Sequence, residues 1–288
     1  VTTYAPLDSF TEVVFNASDF DLIGGNKGWF GITQAGENDS SDLLITPNNG
    51  ESINTSNILG GVGAGQSLDQ NEFFRIDYVT DLTGSPPNSY STGAANGHTF
   101  DGHYTTQGAT ISFRQGTDAT LKFTASDDAD GNNVVGDGAV DAITGIVLSY
   151  NGVTSTLLAP TSTVQSIILG GNTFTYQLDP ADSASVIVTG ISGANGNSGP
   201  PETSVSIFTG DGYNSLQVSN IGPEGIKFAG FAAAVPSSEP VEVSIPVEIV
   251  DGDGDVADGS TLDIAFASTA APVVLDLDGD GVELVGIE

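Results

Sequence analysis

Aspartates two residues apart, set among glycines and asparagines, are the residues of this chain whose type and spacing could do chemistry. They fall in three runs: Asp127-Asp128-Ala129-Asp130-Gly131-Asn132-Asn133, Asp251-Gly252-Asp253-Gly254-Asp255 and Asp276-Leu277-Asp278-Gly279-Asp280-Gly281. Carboxylates so spaced in a tight turn repel one another, each close pair costing on the order of 1 kcal/mol in water and more where burial lowers the dielectric. A hard divalent cation with about six to eight oxygen ligands removes that cost, and Ca²⁺ tolerates the irregular geometry of such loops. Several Ca²⁺ ions are therefore the expected cofactor.

Each run offers its own ligand set. Asp276, Asp278, Asp280 and Gly281 match positions 1, 3, 5 and 6 of an EF-hand loop. The bidentate Glu due at position 12 is replaced by Ile287, however, and no helical pattern flanks the run. A β-flanked loop that recruits Glu283 or Glu288 is expected instead; a solvated acidic linker is the plainer alternative. Asp251, Asp253 and Asp255 share the spacing but have Val256 where the glycine should be, with strand-like runs on both sides. Asp127, Asp128, Asp130, Asn132, Asp137 and Asp141 carry enough oxygens for one ion fully or two in part.

Further candidates could meet a ligand directly. Arg75 and Arg114 are the only arginines, and each is expected either to neutralise a neighbouring carboxylate or to grip a ligand carboxylate as a bidentate fork. Asp101, His103 and Tyr104, beside His98, make an aromatic-polar loop that could contribute to a binding surface; ordinary loop packing is the plainer reading and a zinc site the less favoured one. Gly61 and Gly63 lie in Asn57–Gln66, where bare backbone could approach a ligand or cation. No Lys-Ser/Thr follows these glycines, so they do not form a phosphate loop. Trp29, alone of its kind, is assigned to the core.

Composition narrows the function classes. The chain has 37 acidic against 5 basic residues, a formal net charge of −32, which argues against direct contact with nucleic acid or anionic membranes. With no cysteine there is no disulfide framework and no thiolate metal site. No apolar run is long enough to span a bilayer, so no membrane insertion is expected. The first residue is Val1, which suggests a piece of a longer chain. Catalysis has little support: there is no Gly-x-Ser-x-Gly elbow, and the two histidines are clustered. Carboxylate pairs for glycoside hydrolysis stay open, but the clustering of the acids suits metal ligation better, and no enzyme is expected.

The elements that must hold these residues are strands. Short alternating runs punctuated by Gly, Asn, Asp and Pro indicate an all-β, calcium-stabilised β-sandwich with long irregular loops. Thirteen runs qualify: 11–16, 73–78, 110–113, 120–125, 145–150, 163–169, 173–178, 184–189, 205–208, 215–218, 225–229, 241–249 and 261–267. Asn151-Gly152 marks a tight hairpin. Segments 85–96 and 195–202 read as loops, and 232–240 as a crossover between sheets. Residues 1–268 are expected to be one ligand-binding sandwich and 269–288 an acidic calcium-binding linker, although 237–266 could instead begin a new unit.

The strand–Asp-Gly-Asp-Gly-Asp–strand stretch in Val247–Ile264, the Phe123–Asp137 run and Pro272–Glu283 resemble segments of giant RTX-type adhesins exported by bacterial type I secretion. The region up to about residue 190, especially Asn54–Leu82, is similar to their ligand-binding module. That resemblance implies a cell-adhesion domain, extracellular and anchored at the cell surface as part of a larger adhesin. It also implies capture of an extended peptide, through its C-terminal carboxylate and a bound Ca²⁺, on a host or partner cell. The tandem Gly-Gly-x-Gly-x-Asp nonapeptides of the family are absent, which implies an upstream module. The partner is thus a peptide or protein terminus, with a glycan as the nearest competitor, and the chain a monomer within a longer one. A Ca²⁺-stiffened extender is the structural alternative. A Leu-Asp-Leu-Asp-Gly-Asp-Gly segment also occurs near self-processing modules that cut Asp–Pro bonds; Asp179-Pro180 is present, but cleavage is not expected.

Overall fold

The computed structural model describes residues 10–16, 25–33, 41–56, 59–91, 96–128, 132–195, 202–236, 241–250 and 256–266. All the regular elements among them are strands, and every strand pairing with a given register is antiparallel. The chain divides into two compact units, Glu12–Val235 and a second made of Val1–Thr11 with Pro236–Glu288.

The larger unit is a sandwich of two sheets. The first sheet holds β1 (Phe10–Asn16), β2 (Gly25–Lys27), β5 (Ile53–Thr55), β6 (Gly60–Val62), β11 (Ala109–Arg114), β14 (Gly145–Tyr150), β15 (Val153–Thr154), β19 (Thr203–Phe208) and β21 (Lys227–Pro236). Their order is β15-β14-β19-β11-β21-β6-β5-β2, with β1 also on β21. The second sheet holds β3 (Phe30–Ile32), β4 (Ser41–Pro47), β7 (Phe73–Thr80), β10 (Gly102–His103), β12 (Gly116–Asp127), β13 (Ala139–Asp141), β16 (Gln165–Leu169), β17 (Asn172–Asp179), β18 (Asp182–Gly193) and β20 (Ser215–Asn220). Its order is β16-β17-β18-β12-β20-β7-β4-β3, with β10 on β7 and β13 on β12. A short ladder of β8 (Thr83–Gly84) with β9 (His98–Thr99) lies apart from both.

Alternation explains most of this. Along β12, Ala119, Leu121, Phe123 and Ala125 are buried while Thr120, Lys122 and Thr124 between them are not. These four meet Ile111, Phe113, Val205, Ile207 and Phe228 of the first sheet in one core. Each large side chain buried there contributes about 1.5–3 kcal/mol. Asn151 and Gly152 both take positive φ, 51° and 78°, the geometry of the tight turn joining β14 to β15.

One strand breaks the alternation rule. β4 is buried at Asp42, Leu43, Leu44, Ile45, Thr46 and Pro47 alike, so the period-2 signal vanishes and the sequence reading passes over it. Leu43 and Ile45 enter the main core; Leu44 enters a second, smaller one with Trp29, Val79, Leu82, Tyr90, Phe100 and Val135. Trp29 is thus a core residue, but of this outer cluster. The segments that cover it are tied down by long-range hydrogen bonds. Trp29 Nε1 donates to Asn96 O (2.7 Å), Gly28 N to Pro87 O (2.7 Å) and Tyr90 N to Glu51 O (2.8 Å).

At the other end of the sandwich the surface loses its charge. No Asp, Glu, Lys, Arg or His occurs from 142 to 178, and Val153, Leu157, Val164 and Ile168 are all exposed there. β15 and β16, which end the two sheets, lie in this stretch.

Residues 232–236 belong to the end of β21 rather than to a crossover, and the unit boundary falls at Pro236. In the second unit, β22 (Val241–Val250) and β23 (Val256–Phe266) form their own two-stranded sheet, paired from Val241↔Phe266 to Val250↔Val256. They flank Asp251, Asp253 and Asp255, which lie outside the described residues, as do Asp130, Asp276, Asp278, Asp280 and Glu283.

Candidate functional site

The acidic run after β12 is the expected metal loop on which the structure has most to say. β12 and β13 pair through Ala125↔Asp141, Ser126↔Val140 and Asp127↔Ala139, which sets Asp127 and Asp141 diagonally across the short ladder, two register positions apart. Burial raises the proton affinity of the Asp127 carboxyl, the negative charges of Asp141 and Asp211 raise it further, and His103 pulls it back. Oδ2 of Asp141 is shielded from solvent and accepts no hydrogen bond from the described residues. Asp128 is 3% exposed; its N–H donates to Asn214 Oδ1 (2.7 Å) and its carbonyl accepts from Asn214 Nδ2 (2.8 Å). The loop turns through an Asn132 side chain that accepts from the Val134 N–H, and Asn133 Oδ1 accepts from Phe100 N at 2.8 Å. Asp137 is exposed.

The structure therefore places Asp141, His103 and Asp211 within electrostatic reach of Asp127, and of these the sequence reading missed Asp211. Its signal was present in the turn Gly210-Asp211-Gly212, but its closeness to a loop more than eighty positions earlier is a tertiary fact. The donors are hard oxygens, which suit Ca²⁺. Among the described residues no three His, Asp or Glu side chains are grouped to hold a metal ion.

A second acidic convergence surrounds Gly63. The hairpin of β5 and β6 ends in a turn where Gly63 has φ of 66°, and a Cβ there would lie 3.0 Å from Glu72 Oε1 and 3.4 Å from Glu51 Oε2. Burial raises the Glu72 pKa and the charges of Asp69 and Glu51 add to it, against the lowering effect of its hydrogen bond to the Asp69 backbone. Asn54 Nδ2 holds the turn by donating to Gly63 O (3.2 Å) and Ala64 O (3.3 Å). Gly61 is needed for another reason: its Cβ would strike the Gln66 backbone at 2.4 Å. Neither glycine shares a strand with Arg75, His103 or Tyr104, which belong to the second sheet and its covering loop.

The remaining expected ligand residues separate. Arg75 is turned inward: its side chain is 12% exposed, Nε lies 3.1 Å from Oδ2 of fully buried Asp77, and Nη2 donates to Thr46 Oγ1 (3.2 Å). Burial opposes its charge, yet Asp77 more than compensates and raises its pKa. Asp77 accepts in turn from Ser215 Oγ at 2.8 Å. Tyr104 packs edge-on to Tyr78, and burial with the nearby Asp42 charge raises its pKa. Asp101 is exposed. His98 and His103 flank Phe100, with ring centroids 6.1 and 4.9 Å from it, rather than converging on a common metal. His98 is 7% exposed, and burial lowers its pKa.

The cations make the clearest contrast. Arg114 lies 2.8 Å from Glu202, a charge contact off the N–H direction, and Lys122 reaches Asp179 (2.6 Å) and Asp182 (3.5 Å). Lys227, half-buried, sits opposite Arg114 on β21. Lys27 is exposed, makes no ion pair among the described residues, and stands at a cavity of about 330 Å³. Trp29, Phe30, Leu82, Thr83 and Pro86 line the cavity with it. The sequence reading did not single out this cavity, because Lys27 and Leu82 line it together only when the β2–β3 segment and the segment after β7 come together.

Compared with known proteins, the chain matches no family model, no curated protein and no solved structure.

Proposed function

We propose that the sandwich is a Ca²⁺-dependent binding module of an extracellular, cell-surface adhesin that recognises an extended peptide on another cell. The observation that carries the calcium part is that the charges of Asp141, across the β12–β13 ladder, and of Asp211 both act on the Asp127 carboxyl. Folding there sets like charges within reach of one another, raises the proton affinity of Asp127 and leaves a shielded Asp141 oxygen with no donor among the described residues. A hard cation relieves all three at once. In the proposal Asp127 and Asp141 share the ion, Asp130 and loop carbonyls complete its shell, and Asn132 shapes the turn. The ion then clamps β13 to β12. Further ions at Asp251–Asp255 and Asp276–Glu283 belong to the same reading.

Peptide recognition rests on the resemblance to the adhesin module and on a loop-covered sheet whose outer face offers a cavity. Binding rather than catalysis is proposed, with no nucleic acid as partner, in keeping with the net charge of −32.

Thermal unfolding in Ca²⁺ and in EDTA, each with and without free-carboxylate peptides and simple sugars, tests the proposal. An ion at about a hundred times its dissociation constant adds roughly 2.7 kcal/mol. For a domain of this size that is a rise in Tm of about 5–10 °C. A peptide should add a further shift only when Ca²⁺ is present. A Ca²⁺ shift with no ligand response would turn the reading to a structural extender, a response to sugars alone to a glycan-binding module. No Ca²⁺ response would refute it.

A further inference from the structure

We infer that the uncharged edge formed by β15 and β16 pairs with the same edge of a second copy of this chain, about a two-fold axis. The pairing uses neither the acidic loops nor the Lys27 cavity, so it stands apart from the calcium and peptide readings.

The edge is a fixed border of the sandwich. β15 ends the first sheet and β16 the second, and residues 155–164 carry the chain from one to the other. The hairpin turns beside them interlock: a Cβ on Gly170 would fall 2.8 Å from Tyr150 O and 3.4 Å from Asn151 Cβ. Tyr150 packs edge-on to Phe174, and Leu178 N donates to Thr161 O (2.7 Å). Leu157 lies over Gly145, where a Cβ would be 2.8 Å from Leu157 Cδ1. Even so, Leu157, Val164 and Ile168, at 64%, 65% and 69%, are the most exposed large apolar side chains among the described residues.

The backbone calls for a strand as partner. A terminal strand presents unpaired N–H and C=O groups, and edges are ordinarily guarded by charge, proline or a bulge. β16 reads Gln-Ser-Ile-Ile-Leu and pairs with β17 from Gln165↔Tyr176 to Leu169↔Asn172 without a register shift, so none of these guards is present. Ser166 and Ile168 are exposed, while Leu169 is buried. An added strand satisfies the edge backbone and covers the apolar side chains together, whereas a lipid surface would do only the second.

Charge selects a second copy. Each copy carries −32, so two copies repel wherever acidic surfaces meet. Residues 142–178 are the longest uncharged stretch of the chain, and Asp179 at its border is held by Lys122 at 2.6 Å. Here one copy can approach another without bringing like charges together. A charged partner would find no counter-charge on this border, but the same border of a second copy offers a matching edge, matching apolar side chains and the same lack of charge. Antiparallel pairing of β16 with itself extends the antiparallel order of its sheet, and a two-fold contact closes at two copies.

Sedimentation of the whole chain in Ca²⁺, over a range of protein concentration and salt, tests the inference. Single copies should give way to pairs as concentration rises. Pairing should tighten from about 0.1 M to about 1 M salt, because the screening length falls from about 10 to about 3 Å and the acidic repulsion fades. Ile168→Lys and Val164→Glu each bring like charges together across the two-fold axis and should weaken pairing about tenfold or more. Ile221→Lys, at an exposed isoleucine beyond β20, should leave it unchanged. Circular dichroism establishes that each variant is folded. A chain that stays single up to about 1 mM would overturn the inference. So would pairs that loosen as salt rises, pairs untouched by both edge variants, or growth beyond two copies.

Discussion

Gly136 lies directly against the guanidinium of Arg75: a Cβ on Gly136 would fall 1.7 Å from Nη1 of Arg75, and Gly136 has φ of 85°. The acidic loop between β12 and β13 is therefore also the cover of the buried Arg75–Asp77 pair. Whatever orders that loop bears on the second sheet beneath it.

Gly136→Ala should cost about 2–4 kcal/mol, since a left-handed backbone and a pinned arginine oppose the methyl together. Arg75 cannot simply swing aside, because Asp77 and Thr46 hold it. Gly152→Ala is the control: its φ is 78° but its Cβ would meet nothing within 4 Å, so about 1 kcal/mol is expected. Urea unfolding of both variants measures the difference. Equal losses would mean that Arg75 yields freely.

Removing one partner of the buried pair should be severe. Arg75→Met leaves the fully buried Asp77 carboxylate without its cation and should cost about 3–5 kcal/mol. The double variant Arg75→Met/Asp77→Leu should lose less than the single one, because no uncompensated charge remains. A double-variant loss equal to the sum of the two single losses would show that the two side chains act independently.

Stability in EDTA should rise as the pH is lowered from neutrality toward about 5. The folded-state pKa values of Asp127 and Glu72 lie above their ordinary values, chiefly through burial. The native state therefore binds protons more tightly than the unfolded chain, and ionisation destabilises it. Asp179 and Asp182 run the other way. Burial opposes the shift at Asp179, but Lys122 and the Ala181 amide outweigh it, while the Ser185 hydroxyl leads at Asp182, and both pKa values are lowered. Their contribution is lost only as pH falls below the ordinary carboxylate range. With Ca²⁺ the upper trend should invert, since protons then compete with the ion. Melting curves across pH 4.5–7.5 with and without Ca²⁺ decide it; an identical pH profile in both would remove Asp127 from the ion's shell.

Ile168→Lys should leave the unfolding free energy within about 0.5 kcal/mol of the parent while reducing aggregation after heating. Ile168 is 69% exposed on β16, an end strand with no charged or proline residue to guard it. Light scattering through repeated melting cycles reads the effect, and unchanged scattering would place the aggregation-prone edge elsewhere.

Much of the architecture was legible in one dimension because its signals are local. β12, β14, β18 and β19 alternate buried and less buried residues, and a period of two survives in sequence whatever the strand later pairs with. The Asn151-Gly152 turn is equally local, a backbone preference of two residues. β4 left no such trace because a second core buries its other face. The tiny strands β2, β3, β8 and β9 owe their existence to partners beyond the reach of a tight turn, such as Ile32↔Leu43, Gly84↔His98 and Lys27↔Ile53. At the candidate site, Asp127 and Asp141 were legible as oxygen donors, whereas Asp211 was not.

By itself, then, the sequence determined an all-β chain, the places of its longer strands, and the runs of acid that make a hard cation attractive. Those follow from side-chain periodicity and from charge spacing over a few residues. Only the tertiary structure decided that Arg75 serves Asp77, that the charge of Asp211 acts on Asp127, and that Lys27 stands at an apolar cavity with no ion pair among the described residues. The reason is that ion pairing, burial and cavities depend on which distant strands become neighbours. In a sandwich whose sheet order departs so far from chain order, that neighbourhood is set by packing the two faces together.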